Sequence, residues 1–137
     1  MNILLLAVDE NVYGIDQRCV LRVIDPRREP VHEDLNEHRA SYRGEQLRLV
    51  DVRRDLEQVP GTREEGQAPA YLLVKSKDDG DSGRYLLSVD EARAIISVSG
   101  NEVFPIPPYV FEEMTDCFRG VFEYQGRLQL LFNEQRL

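Results

Sequence analysis

The chain has 137 residues, of which 42% are hydrophobic and 31% are charged, and this balance excludes a chain that is disordered throughout. The length is sufficient for one domain with a buried core, so we predict a single domain over residues 1–137. The formal net charge of −8 opposes binding to phosphate backbones and to anionic lipid, so we expect no nucleic acid partner and no membrane insertion.

The start of the chain and its cysteines both favour a cytoplasmic location. The apolar run at residues 3–8 lacks a basic flank and a cleavage site, so we expect neither a signal peptide nor a membrane span. Cys19 and Cys117 are the only cysteines, and two thiols do not make a disulfide framework. A reducing compartment is therefore expected, with a single Cys19–Cys117 bridge as the alternative.

The first part of the chain is rich in strand-forming residues. Residues 3–8 and 12–15 flank a polar tip and are predicted to form a hairpin. Asp16 is placed to cap a helical turn at residues 17–20, because its side chain can accept from the backbone amides that follow. A further strand is predicted at residues 21–24, which the next proline ends.

Two polar segments are predicted to connect strands. Residues 26–38 mix charges of both signs and show no sustained hydrophobic period, which is typical of a connection. Residues 57–69 contain two prolines and two glycines and are too short to separate domains, so we interpret them as an insertion.

The segment between these connections combines a turn, a buried strand and an isolated cation. Gly44 can adopt a positive φ, so residues 43–46 are predicted to form a turn that leads into a strand at residues 47–52. Asp51 is placed to cap a short helical turn after that strand. Arg43 therefore lies at a strand end, close to solvent, and the alternative is an ordinary hairpin corner without a binding role.

The remainder of the chain predicts further short strands and no long helix. The predicted elements are strands at residues 70–75, 84–90, 92–98, 118–124 and 127–132, a proline-rich extended segment at residues 104–108 and a short helix at residues 109–117. Many short strands separated by turn residues are typical of an all-β barrel or sandwich.

The motifs of common enzyme classes are missing from the sequence. It contains no G-x-S-x-G elbow, no phosphate-binding glycine loop and no Cys-x-x-Cys pair, so we expect no enzyme and no cofactor. The spacing of His32, Glu33 and His38 fits no common metal motif, and residues 78–83 are interpreted as a hairpin tip and not a calcium loop.

Tyrosines of small β-barrels can form a stacking surface for single-stranded nucleic acid. Tyr13, Tyr42 and Tyr71 are candidates for such a surface, but the negative charge of the chain contradicts the basic groove that it needs. We interpret these three residues as core and hairpin aromatics.

Four separated stretches, in the same order, resemble the CheW-like chemotaxis coupling proteins. These stretches are V-Y-G-I-D at residues 12–16, Y-R-G with L-V-D-V-R at residues 42–53, S-V-D at residues 88–90, and R-G-V with G-R-L at residues 119–128. They are similar to the opening hairpin of the family, its N-L-R-G turn and P-V-V-D-L-R strand, its V-D-x-V strand and its closing hairpin. The resemblance covers residues 3–137.

The resemblance implies an all-β fold of two small, intertwined five-stranded β-barrel subdomains around a shared hydrophobic core, with a few short helical turns. It also implies a cytoplasmic protein without catalytic activity or cofactor. Such a protein links the tip of a methyl-accepting chemotaxis receptor to the regulatory domain of a CheA-type histidine kinase. By the same resemblance, Val20, Arg43 and Gly44 lie where the family faces the receptor.

The chain departs from the family pattern at the receptor-facing corner. Ser41 stands where the family has the asparagine of N-L-R-G, and Leu49 replaces the proline of P-V-V-D-L. These departures predict a divergent receptor or another signalling protein as the partner. The alternative function is a stand-alone small β-barrel that binds a small molecule or peptide outside chemotaxis. An enclosed pocket with convergent polar groups would favour that alternative, whereas exposed apolar edges would favour the scaffold.

Overall fold

The computed structural model of the chain describes residues 1–34, 36–57, 68–76, 83–106 and 115–137. The strands are β1 (Asn2–Val8), β2 (Asn11–Asp16), β3 (Val20–Ile24), β4 (Val31–Asp34), β5 (Arg39–Tyr42), β6 (Glu45–Asp51), β7 (Ala70–Lys75), β8 (Arg84–Val89), β9 (Glu91–Ser97), β10 (Phe118–Tyr124) and β11 (Arg127–Phe132). The short helical turns are Gln17–Cys19, Val52–Leu56, Gly100–Glu102 and Thr115–Cys117.

The strands form two sheets. The first has five strands in the order β10-β11-β2-β1-β9, and the second has six in the order β3-β7-β8-β6-β5-β4. The pairs β11–β2 and β6–β8 are parallel, whereas the other pairs between named strands are antiparallel. The first sheet is thus built from both ends of the chain and the second from its middle. This arrangement confirms the all-β prediction and the two interleaved subdomains.

Three apolar clusters show how the sheets share a core. Strand β1 is buried on both faces, because Leu4, Leu6 and Val8 lie in the cluster between the sheets while Ile3 and Leu5 lie in a cluster within the first sheet. Strands β7 and β8 are likewise buried on both faces, with residues in the cluster between the sheets and in the cluster of the second sheet. Side chains of a strand alternate between its faces, so a strand between two cores must be apolar at every position. This explains why residues 3–8 show no polar alternation.

The prediction of a connection at residues 26–38 is wrong in part. Strand β4 lies within this segment and pairs antiparallel with β5, which gives the second sheet six strands and not five. Three of its four residues are exposed, because β4 is an edge strand with little core beneath it. An exposed edge strand needs no apolar residues at alternate positions, so the sequence carries no strand signal there.

Several local predictions are confirmed. The Asp16 carboxylate accepts from the backbone N–H of Arg18 at 3.0 Å, and that of Asp51 accepts from the backbone N–H of Arg53 at 3.1 Å. The first turn is shorter than predicted, since strand β3 already begins at Val20. Most of the predicted helix at residues 109–117 lies outside the described residues, and its last part forms the turn Thr115–Cys117.

The aromatic and cysteine residues follow the sequence interpretation. Tyr13, Tyr42 and Tyr71 are buried, so they belong to the core and not to a stacking surface. Cys19 and Cys117 are both free thiols that pack against the cluster between the sheets, and the alternative of a bridge between them is therefore wrong.

Candidate partner-binding surface

A two-residue turn joins β5 to β6 and carries two of the three predicted site residues. Arg43 and Gly44 have φ values of 50° and 77°, and Tyr42 pairs with Glu45 across the turn. Two successive positive φ values are the mark of a turn whose twist matches that of the strands it joins. The turn directs the Arg43 side chain outward, where 60% of it is exposed.

Arg43 is not the isolated cation that the sequence suggests. Its Nη2 lies 3.3 Å from Oε2 of Glu29, and its guanidinium carbon lies 5.4 Å from the centre of the Tyr42 ring. An exposed ion pair and a cation–π contact each contribute little to stability, but together they restrict the rotamers of a long side chain.

Glu29 also collects groups from two other elements. Its Oε2 accepts a hydrogen bond from the Tyr42 hydroxyl, and its Oε1 accepts from Nη2 of Arg22 on β3. These bonds lower the pKa of Glu29, with the Tyr42 hydroxyl as the largest cause and the Arg22 hydrogen bond as the next. The carboxylate therefore links β3 to the turn between β5 and β6.

A local turn fixes the backbone of Glu29. The N–H groups of Arg28 and Glu29 both donate to the Asp25 carbonyl at 2.9 Å, and the Asp25 carboxylate accepts from the backbone N–H of Arg27 at 3.0 Å. Aspartate followed by proline favours such a turn, because the side chain caps the free amides while proline presets φ. Glu29 is consequently presented to the site by its own chain segment.

Val20, the third predicted site residue, lies at the start of β3 and pairs with Val74 of β7. Its side chain is partly buried and packs against the cluster between the sheets. A bulge follows it in the strand, and the outward apolar side chains of β3 are Leu21 and Val23, each 50% exposed. Of the three predicted site residues, Arg43 and Gly44 thus lie together in the turn between β5 and β6. Val20 lies on another strand, two residues before Arg22.

Two outer strands of different sheets approach each other beside Val23. The end of β3 and the start of β9 border a cleft of about 230 Å³, whose lining includes Val23, Pro69 and Ala92. On β9, Ile95 is 51% exposed, while Ile96 packs inward against the cluster of the first sheet. Both strands are at the ends of their sheets, so the described part of the chain presents apolar side chains beside open strand edges.

A second cleft, of about 820 Å³, lies between the β1–β2 tip, β11 and Glu57. Three polar side chains in it bind one another: Oε2 of Glu57 accepts from Nδ2 of Asn11 and from the Tyr13 hydroxyl, each at 2.8 Å. Convergent polar groups that await a ligand would instead point into the open space. This arrangement gives no support to the small-molecule alternative.

Two further kinds of site were sought among the described residues, a metal-binding cluster and a membrane-spanning helix. None of their His, Cys, Asp and Glu side chains form a group of three or more that could hold a metal ion. Within the same ranges no helix has the length and apolar character needed to cross a membrane.

Sequence reasoning missed Glu29 and Arg22. The one local sequence signal is Asp25-Pro26, which favours the turn that positions Glu29. The three side chains that contact the Glu29 carboxylate come from other parts of the chain. The sequence predicts a strand at Leu21 and Val23 but no role for them, because it does not show which face of an edge strand is covered.

The comparison with known proteins agrees with the geometry. The chain matches the family model of the CheW-like domain over residues 2–137. It is also similar to the crystal structure of the scaffolding protein TtCheW from Thermoanaerobacter tengcongensis, with a TM-score of 0.75 and 18% sequence identity, over 96% of this chain and 88% of that one. No curated protein matches the chain. The family match spans nearly every residue, and the chain therefore belongs to the family of CheW-like domains.

Proposed function

We propose that this protein is a non-enzymatic, cytoplasmic scaffold that couples chemoreceptors to the regulatory domain of a CheA-type histidine kinase. Membership of the CheW-like family and the fold shared with the scaffolding protein TtCheW support this function. The observation that carries it is the open apolar edge of β3 beside the exposed Arg43–Gly44 turn, since a scaffold acts through such surfaces.

The receptor tip binds at the surface that holds Val20, Arg43 and Gly44. Arg43 supplies a planar donor for directed hydrogen bonds there, and Leu21 and Val23, which flank Arg22 on β3, supply exposed apolar area on the adjoining face of that strand. Apolar anchors beside an arginine are the usual composition of the centre of a protein interface. Gly44 leaves room for the partner, since among the described residues beyond its two chain neighbours no heavy atom lies within 4 Å of where its Cβ would be.

The kinase regulatory domain binds at open strand edges. Strand β9 ends the first sheet, and most of its residues are exposed, Ile95 among them. A barrel of similar fold can continue such a sheet through main-chain hydrogen bonds and apolar side chains. An interface of this kind is mainly apolar, so its affinity should depend only weakly on salt.

The test is direct binding. The purified protein is titrated by calorimetry with the cytoplasmic tip of a chemoreceptor and, separately, with the kinase regulatory domain encoded by the same genome. We expect heat in both titrations and co-elution of the kinase complex from a sizing column. If neither partner binds at micromolar concentration, the scaffold function is wrong.

A further inference from the structure

Two arginines share one carboxylate at the receptor-facing corner. Arg22 bonds to Oε1 of Glu29, while Arg43 and the Tyr42 hydroxyl contact Oε2, so both oxygens are in use. The exposed fractions of the side chains rise from 27% for Glu29 to 44% for Arg22 and 60% for Arg43. The anion thus lies beneath the two cations, and the cations face solvent.

The three charges do not cancel. Arg22 and Arg43 bring two positive charges and Glu29 one negative charge, which leaves an excess of one positive charge on a chain whose net charge is −8. A guanidinium has five N–H donors in a fixed plane, and the contacts with Glu29 use only part of them. The donors that remain suit a second carboxylate, which arginine binds through two parallel hydrogen bonds.

We infer that Glu29 is a positioning residue, which holds Arg22 and Arg43 as a clamp for an acidic side chain of the receptor tip. This inference rests on the proposed receptor-binding function and names the chemistry of that contact. A free arginine side chain loses conformational entropy about several rotatable bonds when a partner fixes it. Glu29 and the Tyr42 ring restrict them before the partner arrives, so the partner meets donors that are already in place.

Glu29→Gln separates positioning from simple attraction because the two predict opposite signs. The substitution keeps the shape of the side chain and makes the protein less negative, so attraction alone would strengthen binding to an acidic partner. Loss of the clamp would instead weaken binding to the acidic partner. Glu123→Gln is the matched control, since it removes the same charge from an exposed position of β10 on the other sheet.

The experiment measures Kd by calorimetry for the chemoreceptor tip from the same genome. The proteins are the wild type, Glu29→Gln, Glu123→Gln, Arg43→Ala and the double variant Glu29→Gln/Arg43→Ala. We expect Glu29→Gln to raise Kd about fivefold to tenfold and Glu123→Gln to leave it unchanged or lower it. In the Arg43→Ala background Glu29→Gln should raise Kd by a smaller factor than in the wild type, because only Arg22 is then left to be positioned. Changing one acidic residue of the tip to its amide should abolish the difference between Glu29→Gln and the wild type.

The side chains supply a readout without a partner. In ¹⁵N NMR spectra of the free protein, the Nε–H signals of Arg22 and Arg43 should be separate in the wild type and shift toward the averaged position of free arginines in Glu29→Gln. If the wild type binds the tip and Glu29→Gln behaves like Glu123→Gln, the clamp is overturned while the proposed function stands. If the wild type does not bind the tip, both are overturned.

Discussion

Arg43 should matter for binding and hardly for folding. Arg43→Ala removes an exposed ion pair and a contact with the Tyr42 ring, while alanine keeps the same strained left-handed backbone. The urea midpoint of unfolding should therefore change little, whereas the Kd for the receptor tip should rise about tenfold or more, as for other interface arginines. A large drop of the midpoint with unchanged affinity would instead identify Arg43 as a structural corner residue.

Asp16 should make stability depend on pH below about 4. Its buried carboxylate accepts two hydrogen bonds from the Arg18 side chain and lies 3.6 Å from Nη1 of Arg119. The Arg18 bond is the largest cause that lowers the pKa of Asp16 in the folded protein. The charged form thus stabilises the fold fully above the unfolded pKa of about 3.9, and this stabilisation is lost as the pH falls toward the folded pKa.

Urea unfolding of the wild type and of Asp16→Asn between pH 7 and pH 3 checks this expectation. Asparagine can still accept from the Arg18 backbone N–H, so the variant isolates the loss of charge. The difference in midpoint between the two proteins should be largest at pH 7 and should shrink below about pH 4. Parallel curves over the whole range would contradict it.

The residues of the proposed receptor site divide into those that a sequence pattern can point to and those that it cannot. Arg43 and Gly44 follow from the local turn pattern and the family resemblance, because a two-residue turn depends on its own residues. Glu29 depends on Arg22, Tyr42 and the turn, which meet only after the second sheet forms. A role that arises from long-range pairing leaves no local spacing to detect.

Two glycines, Gly120 in β10 and Gly100 in a short helical turn, lie in contrasting surroundings. A Cβ at Gly120 would lie 2.4 Å from the Phe104 carbonyl oxygen, because Phe104 and Val121 exchange backbone hydrogen bonds at 2.8 Å. A Cβ at Gly100 would lie more than 4 Å from every described residue other than its two chain neighbours. Gly120→Ala should therefore destabilise the protein by about 1–3 kcal/mol, since backbone cannot rotate away from the clash.

Gly100→Ala is the matched control in the same urea experiment. It should leave the midpoint unchanged or raise it slightly, because alanine reduces the freedom of the unfolded chain. Equal destabilisation by both substitutions would mean that the close approach at Gly120 is relieved at little cost.

Strands differ in how well their sequences predict them. The hairpin of β10 and β11 is predicted within its observed bounds, since strand-forming residues flank Gln125-Gly126 and both turn residues have positive φ. Strand β4 is missed because it is exposed and owes its conformation to pairing with β5. The strands that the sequence predicts best are those that bury apolar side chains on at least one face.

The two sheets should unfold together. Leu72 of β7 is fully buried in the cluster between the sheets, while its neighbour Leu73 faces the cluster of the second sheet. Leu72→Ala should cost about 2–5 kcal/mol and should move a single transition, because strands shared by two clusters couple them. Far-ultraviolet circular dichroism and tyrosine fluorescence should give the same midpoint in urea, and two separate midpoints would contradict the coupling.

The path of the chain through the two sheets determines when its first strands can fold during synthesis. Strand β1 precedes the other ten strands in the chain, yet Leu4 pairs with Ile95 and the neighbouring strand β2 pairs with β11 through Tyr13 and Leu130. During synthesis the apolar β1–β2 hairpin must therefore wait, with both faces of β1 uncovered, until β9 and β11 have left the ribosome. Nascent chains that have emerged from the ribosome up to residue 90 should associate with chaperones that bind hydrophobic segments. Chains that have emerged beyond Phe132 should dissociate from these chaperones.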